Sequence, residues 1–445
     1  MKHVHFMGIG GVGISALAYV MHHEGWRVSG CDAGSNQLTE RLRQEGINIF
    51  NGHDPEHLKG VDLLVASNAI PEDNPELRAA EQIGVERRER MLVLADILGR
   101  GRSIGVSGTH GKTTTTAMIA HIFLELEADP LVLVGAEFAA IGGNVRWGQG
   151  WRIAEVDESD PLIASVAVEL AVLTNLEDDH VAATPDGRKT YHASYSDLEE
   201  AVSSYARRAN QVLYNADWEI LDKLTTGLNR IGYGFDHGYY RALDVTGNSF
   251  TFAVDDQPTV QVKLAVPGRH NVENATAALA VAHLSGLDLE RAAAAMASFS
   301  GTSRRFEKLG QLNGALIIDD YAHHPTEIAA TLAAAREAGR RLRVVFQPHR
   351  YGRTQQMWQR FAEALQAADE VLVLEVYAAG ESPLAGVSGH LIAQHLEKLG
   401  HRATRFYDWD TARDYLRSSL AENDLILTMG AGDVRRLGLE LLEEA

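Results

Sequence analysis

The sequence predicts an α/β protein of three domains, each built around a mostly parallel sheet. The chain has 445 residues, which suggests about three domains at roughly 150 residues per domain. Short β-rich runs alternate with longer helical patterns, and this alternation is typical of parallel sheets covered by helices. Two glycine-rich loops, starting at Gly8 and Gly108, each lie between a predicted strand and a predicted helix. The first two domains therefore share a strand–loop–helix plan.

The charge, the cysteine count and the distribution of apolar residues exclude several classes of protein. The net charge is −19, which argues against a protein whose main role is to bind a nucleic-acid backbone. The single cysteine, Cys31, excludes an intrachain disulfide and an all-cysteine zinc site, and we expect it to be a small buried apolar residue. No stretch approaches the roughly 18 apolar residues of a membrane span, and the N-terminus lacks the design of a signal peptide. We expect a cytoplasmic protein with no membrane insertion.

The first domain is predicted over residues 1–100. Its strands are expected at 3–7, 26–30 and 61–67, with a helix over 15–24. Residues 92–101 end in glycine and basic residues just before a new apolar strand pattern, which places the first boundary there.

The second domain is predicted over 101–300 and the third over 301–445. Strands are expected at 103–106, 151–156 and 168–174, followed by additional β structure over 232–266. Alanine-rich helices are predicted over 274–284 and 289–299, and residues 301–303 form a turn-like linker. Four apolar runs, at 315–320, 342–346, 370–375 and 424–429, are separated by helical patterns and predict a third α/β unit.

The first glycine motif combines a flexible loop with a downstream acid. Glycines let the backbone approach a pyrophosphate, and the following helix presents free N–H groups to anionic oxygen. An acid at the end of the next strand can bond a ribose hydroxyl. The pattern suits NAD or any other nucleoside diphosphate, and a tight turn without ligand is the alternative; the residues concerned are Gly8, Gly10, Gly11, Gly13 and Asp32.

The second glycine motif is a variant of the P-loop. Its backbone N–H groups can cradle phosphates, Lys112 can neutralise the β and γ oxygens, and the Thr113 hydroxyl can bind Mg²⁺. The usual spacing places a glycine at position 106, whereas this chain has Val106. The motif comprises Gly108, Thr109, His110, Gly111, Lys112, Thr113 and Thr114.

Two acidic segments follow strands of the second domain. The carboxylates of residues 155–160, EVDESD, repel one another unless a cation or hydrogen-bond donors lie among them. Mg²⁺ with a triphosphate is the natural partner, and a solvated acidic loop is the alternative. His180 closes the second segment, TNLEDDH, as either a further metal ligand or a surface residue.

Polar clusters in the last third follow predicted strands or open predicted helices. Sites in open α/β sheets form at the carboxyl ends of strands, and arginine there suits carboxylate or phosphate ligands. These clusters contain His270, Asn271, Asn274, Arg305, Asp320, Tyr321, His323, His349, Arg350 and Arg353.

Together the motifs resemble those of the Mur ligase family over nearly the whole chain. GTHGKTTTT, EVDESD, TNLEDDH, PGRHNVENA, GTSRRFE, DDYAHHPTE and FQPHRYGRT occur in the family's order. The last two are most similar to the member that adds L-alanine. The resemblance implies a Rossmann-like first domain that binds a UDP-substrate, a central ATP-binding domain and a Rossmann-like third domain. It also implies that ATP drives the joining of L-alanine to the lactyl carboxylate of UDP-N-acetylmuramate, a step of peptidoglycan precursor synthesis.

The same resemblance implies roles for individual residues. Lys112 holds the β and γ phosphates, Thr113 and Glu155 hold one Mg²⁺, and His180 holds a second. Ser159 and Asp160 contact the UDP-substrate together with the first glycine loop. It implies that His270, Asn271 and Asn274 contact the adenine side of ATP, and that Arg305 and Asp320 approach ATP from the third domain. The residues implied at the muramyl and alanine end are Tyr321, His323, His349, Arg350 and Arg353.

Some features depart from the pattern or leave alternatives open. Residues 181–187, VAATPDG, differ from the family's usual segment, which leaves the geometry of the second metal open. The tripeptide-adding recycling ligase of the same family is the nearest alternative. A nicotinamide-dependent dehydrogenase is a remote one, since it explains neither Lys112 nor the acidic segment. Both a monomer and a homodimer are compatible with the sequence.

Overall fold

The computed structural model describes residues 1–67, 69–179, 192–402 and 404–443. Within these ranges, three sheets follow one another along the chain, with five, ten and six strands. His180 and residues 181–187 lie outside the described residues, and so do the predictions made for them.

The first sheet is fully parallel and has the strand order β3-β2-β1-β4-β5. Its strands are β1 (His3–Met7), β2 (Arg27–Asp32), β3 (Asn48–Asn51), β4 (Leu63–Ala66) and β5 (Glu86–Glu89). The helices are α1 (Val12–His23), α2 (Gln37–Gln44), α3 (Pro75–Ile83) and α4 (Arg90–Leu98). α1 packs on one face of the sheet, and its apolar core continues into the second sheet through Leu133 and Val145.

The second sheet has the order β15-β14-β13-β12-β11-β10-β6-β9-β7-β8. Its strands are β6 (Ser103–Ser107), β7 (Leu131–Phe138), β8 (Gly143–Arg146), β9 (Arg152–Glu155), β10 (Leu170–Leu173), β11 (Gln211–Asn215), β12 (Arg230–Gly234), β13 (Tyr240–Thr246), β14 (Ser249–Val254) and β15 (Gln257–Lys263). The helices are α5 (Lys112–Glu125), α6 (Tyr195–Arg208), α7 (Glu219–Thr225), α8 (Arg269–Leu284) and α9 (Leu289–Ala295). The largely buried helices α5 and α8 pack against each other, and α5 also contacts β6.

The third sheet has the order β16-β17-β21-β18-β19-β20, with β16 antiparallel to its neighbour and the other pairs parallel. Its strands are β16 (Glu307–Leu312), β17 (Ala315–Asp320), β18 (Arg341–Phe346), β19 (Glu370–Val373), β20 (Thr404–Phe406) and β21 (Asp424–Met429). The helices are α10 (Pro325–Arg336), α11 (Tyr351–Leu365), α12 (Gly389–Lys398), α13 (Trp409–Ser419) and α14 (Arg435–Glu443).

The predicted fold class of three α/β units with mostly parallel sheets is confirmed. The additional β structure over 232–266 is the antiparallel extension β13 to β15. The predicted start of the first helix at residue 15 was late, because α1 begins at Val12, directly after the glycine loop. The predicted helix over 289–299 was too long, because the α-helix ends at Ala295 and a 3₁₀ turn, Met296–Ser298, follows. Within the described ranges, none of the helices has both the length and the apolar character needed to cross a bilayer.

Candidate active site

The loop between β6 and α5 has the backbone of an anion-binding site. Gly108 has φ +134° and Gly111 has φ +79°, both in the region that favours glycine. A Cβ on Gly111 would lie 2.6 Å from Oδ1 of Asn274, so a larger residue has no room. The first turn of α5 follows Gly111 directly and presents its backbone N–H groups at the mouth of the loop.

Lys112 lies at the centre of this loop. Its Nζ donates to the carbonyl oxygens of Gly108 and Thr109, at 2.6 and 3.1 Å, and lies 2.7 Å from Oε2 of Glu158. Burial lowers the pKa of the ammonium, but Glu158, Asp157 and Glu155 outweigh this effect, so the pKa lies above its ordinary value. The lysine is therefore a fixed positive charge inside the loop, beside the position that a bound phosphate would take.

Thr113 and Glu155 form an oxygen-rich pair beside Lys112. The Thr113 hydroxyl donates to Oε2 of Glu155 at 2.8 Å, and the backbone N–H of Gly135 donates to the same oxygen at 3.0 Å. The two residues meet because β6 and β9 are parallel neighbours that end at the same edge. Hydroxyl and carboxylate oxygens are the ligands that Mg²⁺ prefers, so the donor set fits the predicted ion.

The acidic segment after β9 forms ion pairs with two cations. Lys112 pairs with Glu158, while Arg90 of α4 lies 3.0 Å from Asp157 and 3.7 Å from Asp160. Ser159 donates to Asp157, and Asp160 accepts from the N–H of Leu162. The segment is therefore a buried junction between the first and second domains, whereas the sequence alternative was a solvated loop.

The adenine-side and ribose-side predictions converge on one cavity of about 140 Å³. Phe299 and Val266 supply apolar wall, and polar groups converge from the loop, α8 and the start of the third domain. The predicted site residues in its lining are His110, Gly111, Thr114, His270, Asn271, Asn274, Arg305 and Asp320.

Within this cavity, Asp320 is held at the end of β17. It accepts hydrogen bonds from the N–H groups of Phe306 and Ala322, each at 2.8 Å. Burial raises the pKa of Asp320 to about 6, although Arg305 lowers it. Burial lowers the pKa of His270 to about 4, and Arg305 lowers it further, so this imidazole is neutral at pH 7.

A second cavity, of about 550 Å³, joins all three domains. Its size lies in the range of small-molecule sites. Val12 and Leu38 come from the first domain, residues 109–113 and Glu155 from the second, and Arg304, Arg305, Tyr321 and His323 from the third. The second glycine loop, acidic oxygens and arginines therefore line one cavity between the three domains.

The residues predicted for the muramyl and alanine end follow two strands of the third sheet, β17 and β18, which lie on either side of β21. The rings of Tyr321 and His323 lie 5.2 Å apart, and those of His323 and His349 lie 6.0 Å apart. Burial lowers the pKa of His349 to about 3, and Arg353 and Arg350 lower it further. Tyr321 and His323 line the three-domain cavity, and the ring of His349 contacts that of His323.

Arg350 and Arg353 open α11 in different ways. Arg350 precedes the helix with φ +69°, a conformation that non-glycine residues adopt at a cost of about 1 kcal/mol or more. Arg353 lies in the first turn and donates to both oxygens of Asp179, at 3.0 and 3.2 Å. The second arginine thus bridges the third domain to the segment that precedes His180.

The first glycine loop is held by its downstream acid. Oδ2 of Asp32 accepts from the N–H of Gly10 at 2.8 Å, and the Asn36 side chain donates to the carbonyl oxygen of Gly10 at 3.0 Å. The loop carbonyl of Val12 accepts from Asn144 of the second domain at 2.6 Å. Asp32 therefore shapes the loop, and its predicted bond to a ribose hydroxyl stays a prediction.

Three segments of the chain match profiles of one family. Residues 3–102 match the Mur ligase family catalytic domain, residues 106–282 the Mur ligase middle domain, and residues 304–432 the Mur ligase glutamate ligase domain. The chain belongs to the Mur ligase family.

Named relatives of this Mur ligase cover its whole length. A UDP-N-acetylmuramate–L-alanine ligase of Deinococcus radiodurans is 45% identical, over 99% of this chain and 93% of the relative. The ligase of the same name from Gloeobacter violaceus is 43% identical, over 99% and 95%. The crystal structure of UDP-N-acetylmuramate–alanine ligase from Thermotoga maritima has a TM-score of 0.85 at 31% identity, covering 100% of this chain and 99% of that one. A murein peptide ligase from Psychrobacter arcticus has a TM-score of 0.71 at 25% identity, over 99% and 98%.

Sequence reasoning assigned no role to two glutamates that link the domains of this Mur ligase. Glu327 of α10 lies 3.2 Å from Nδ1 of His110, and Glu177 lies 3.3 Å from Nε2 of the same ring. Thr326 also donates to Glu177 at 2.9 Å. Both glutamates stand inside quoted motifs, DDYAHHPTE and TNLEDDH, but their pairing depends on how the domains dock.

Proposed function

We propose that this Mur ligase uses ATP to join L-alanine to the lactyl carboxylate of UDP-N-acetylmuramate, releasing ADP and phosphate. The observation that carries the proposal is the three-domain cavity, which brings the phosphate loop within reach of residues from the first and third domains. Full-length relatives that bear the name of this activity support the same substrates. Lys112 and the acidic segment have no place in the nicotinamide-dependent alternative.

The chemistry follows from the charges around the cavity. A carboxylate is a poor electrophile, so the γ-phosphoryl group of ATP first passes to it and forms an acyl phosphate. Such a transfer requires positioning and neutralisation of charge more than covalent help from the protein. Lys112 neutralises the phosphoryl oxygens, the alanine amine then attacks the acyl carbon, and phosphate leaves.

Thr113 and Glu155 would hold Mg²⁺, which neutralises charge on the transferred phosphoryl group when bound. In the same proposal His180 holds a second Mg²⁺. Gly108, Thr109, His110, Gly111 and Thr114 surround the phosphates, with the base and ribose near His270, Asn271, Asn274, Arg305 and Asp320.

The other two substrates belong to the first and third domains in this proposal. The UDP-substrate lies on the first glycine loop and reaches Ser159 and Asp160 at the domain junction. The muramyl carboxylate and alanine lie against Tyr321, His323, His349, Arg350 and Arg353. A cytoplasmic location and a monomeric or homodimeric state stay predictions.

Phosphate release across a panel of amino acids and peptides tests the proposal. With ATP, Mg²⁺ and UDP-N-acetylmuramate, L-alanine should be the best acceptor, and glycine and L-serine weak ones. The methyl group that glycine lacks is worth about 1–3 kcal/mol in a fitted pocket. Preference for a tripeptide would instead identify the recycling ligase, and release that does not depend on an amino acid would exclude both ligase assignments.

A further inference from the structure

The first domain contains a cluster of histidine, cysteine and glutamate side chains that lies away from the second glycine loop. His5 of β1, Cys31 of β2, Glu76 of α3 and His57, from a 3₁₀ turn at Pro55–Leu58, form it; we call this set the first-domain donor cluster. One donor atom from each of the four lies within 4.8 Å of the others. His5 points away from α1, because residues alternate along β1 and its neighbours Val4 and Phe6 pack in the core on the α1 side.

A chain of hydrogen bonds fixes the tautomer of His5. A carbonyl oxygen only accepts hydrogen bonds, so Nδ1 of His3 carries a proton and donates it to the carbonyl oxygen of Gly60 at 3.0 Å. Nε2 of His3 then accepts the hydroxyl proton of Ser29 at 2.8 Å. The Ser29 oxygen in turn accepts from Nδ1 of His5 at 2.8 Å. With its proton on Nδ1, His5 presents the lone pair of Nε2 to the cluster.

That lone pair faces a buried carboxylate. Nε2 of His5 and Oε1 of Glu76 lie 3.0 Å apart, both side chains are 0% exposed, and the contact lacks the angles of a hydrogen bond. Two acceptors this close require a positive charge between them, either a proton or a metal ion.

The remaining donors distinguish these two cases. Nδ1 of His57 lies 3.4 Å from Oε1 of Glu76, and Sγ of Cys31 lies 3.3 Å from Oε2. The thiol of Cys31 donates a hydrogen bond to Oε2, but Nδ1 of His57 has no hydrogen-bond partner among the described residues, so a proton shared by His5 and Glu76 leaves the approach of His57 to Oε1 unexplained. Donor atoms around a tetrahedral Zn²⁺, bound at about 2.0 to 2.3 Å, are separated by about 3.3 to 3.8 Å.

We propose that the first-domain donor cluster binds one divalent transition-metal ion, with Zn²⁺ the best match to one thiolate, two imidazoles and one carboxylate. This set fills four positions, as in structural zinc sites. Supporting contacts of the kind that orient zinc ligands are present, since Ser29 holds the distal nitrogen of His5 and the ring of His57 stacks on Phe50 at 4.2 Å. Binding of Zn²⁺ breaks the S–H bond of Cys31 and releases that proton to solvent.

The bound ion would stabilise the start of the first glycine loop through Cys31. The carbonyl oxygen of Cys31 accepts from the N–H groups of Gly8 and Ile9, at 2.8 and 3.1 Å. Fixing Cys31 to the 3₁₀ turn and α3 therefore fixes the start of the loop. The inference is independent of the proposed ligase activity, because it concerns metal content and stability of the first domain.

The test uses the full chain made without a polyhistidine tag. After exposure to Zn²⁺ and dialysis, elemental analysis should find about one equivalent of zinc in the wild type and in the His390→Ala control, whose histidine is exposed in the third domain. Cys31→Ala and His57→Ala should each lower zinc retention at least about tenfold. Zinc retention that is equal in the wild type and both variants would overturn the proposal.

Cobalt gives a second readout that does not depend on a variant folding. Co²⁺ bound to the wild type should show thiolate-to-metal charge-transfer absorption that Zn²⁺ abolishes and Mg²⁺ does not. A zinc chelator should lower the Tm of the zinc-loaded protein, and added Zn²⁺ should restore it. Absence of the thiolate absorption in wild-type protein titrated with Co²⁺ would overturn the proposal and leave the proton-bridged network as the explanation.

Discussion

The two glycine loops share a backbone plan but differ in the charges around them. Residues 8–13, GIGGVG, contain no ionisable side chain, and the carboxylate of Asp32 accepts one of the loop's own N–H groups. Residues 108–113, GTHGKT, contain Lys112 and His110 and face the carboxylates of Glu155 and Glu158. The same strand–loop–helix unit can serve either binding or reaction, depending on whether ionisable side chains lie within the loop. We therefore propose that the first loop binds substrate and that the second takes part in the chemistry.

Removing the charge of Lys112 in the second loop should have the largest effect. Lys112→Ala should lower kcat by at least about 10²-fold, because the ammonium acts where charge develops on the transferred phosphoryl group. The Kd of the UDP-substrate should change little, since that ligand lies on the first loop in our proposal. Steady-state kinetics and calorimetric binding measure the two effects, and near wild-type turnover would remove the assignment of chemistry to this loop.

A matched pair at Thr113 tests the metal position. Thr113→Val keeps the shape but removes the hydroxyl, so the Mg²⁺ concentration for half-maximal rate should rise at least about tenfold. Thr113→Ser keeps the hydroxyl and should stay close to the wild type. Equal Mg²⁺ dependence in the two variants would show that the hydroxyl does not bind the ion.

The pH dependence of stability should separate the second loop from the first. Burial lowers the pKa of His110, but Glu177 and Glu327 outweigh this effect and raise it to about 9 from 6.5. Because the folded-state pKa is the higher one, the stabilisation is complete below pH 6.5 and is lost as the pH rises through about 9. His110→Gln should therefore cost about 1–3 kcal/mol of unfolding free energy near pH 6 and much less near pH 10.

Denaturant unfolding of the two proteins across pH measures this difference. His121→Gln is the matched control, because burial lowers the pKa of His121 and its cost should not decline over the same interval. A His110→Gln cost that is constant from pH 6 to pH 10 would contradict the proposed link between the second and third domains.

The smallest expected effect tests the first loop. A Cβ on Gly10 would lie 2.9 Å from both Asp32 and Asn36, whereas one on Gly11 would lie 3.4 Å from the nearest atom, the carbonyl oxygen of Gly8. Gly10→Ala should raise the KM for the UDP-substrate about tenfold, the value of one lost hydrogen bond, with kcat nearly unchanged. Gly11→Ala should have a clearly smaller effect, and a fall in kcat for Gly10→Ala would give this loop a part in the reaction.

Several central strands were predictable from sequence, whereas β7 and β11 of the second sheet and both edge strands of the first sheet were not. Residues 3–7, 315–320 and 424–429 were predicted with the bounds of β1, β17 and β21, because each is a buried apolar run between polar segments. β5, Glu86–Glu89, was missed because an edge strand with charged residues has no apolar alternation. β3, Asn48–Asn51, was missed because it is an edge strand of four residues with only two apolar ones, Ile49 and Phe50.

The candidate site was predictable only within each domain. Glycine, lysine and acids at strand ends were found because such positions meet at one edge of a parallel sheet. The pairs that cross domains, such as Arg353 with Asp179 and His110 with Glu327, depend on docking that no local pattern encodes. Cys31 is buried as predicted, but its thiol contacts His53 and Glu76, which lie in distant parts of the sequence.

The ion pair between Lys112 and Glu158 couples the binding of a nucleotide to the binding of a proton. Burial raises the pKa of Glu158 to about 7 even with Lys112 beside it. A triphosphate that draws the ammonium away leaves this carboxylate buried without its partner, and its proton affinity then rises further. Nucleotide binding should therefore take up a fraction of a proton near neutral pH, and its affinity should increase as the solution becomes more acidic through pH 7. ATP would therefore take the place of Glu158 beside Lys112, and a proton from water would take the place of Lys112 on Glu158.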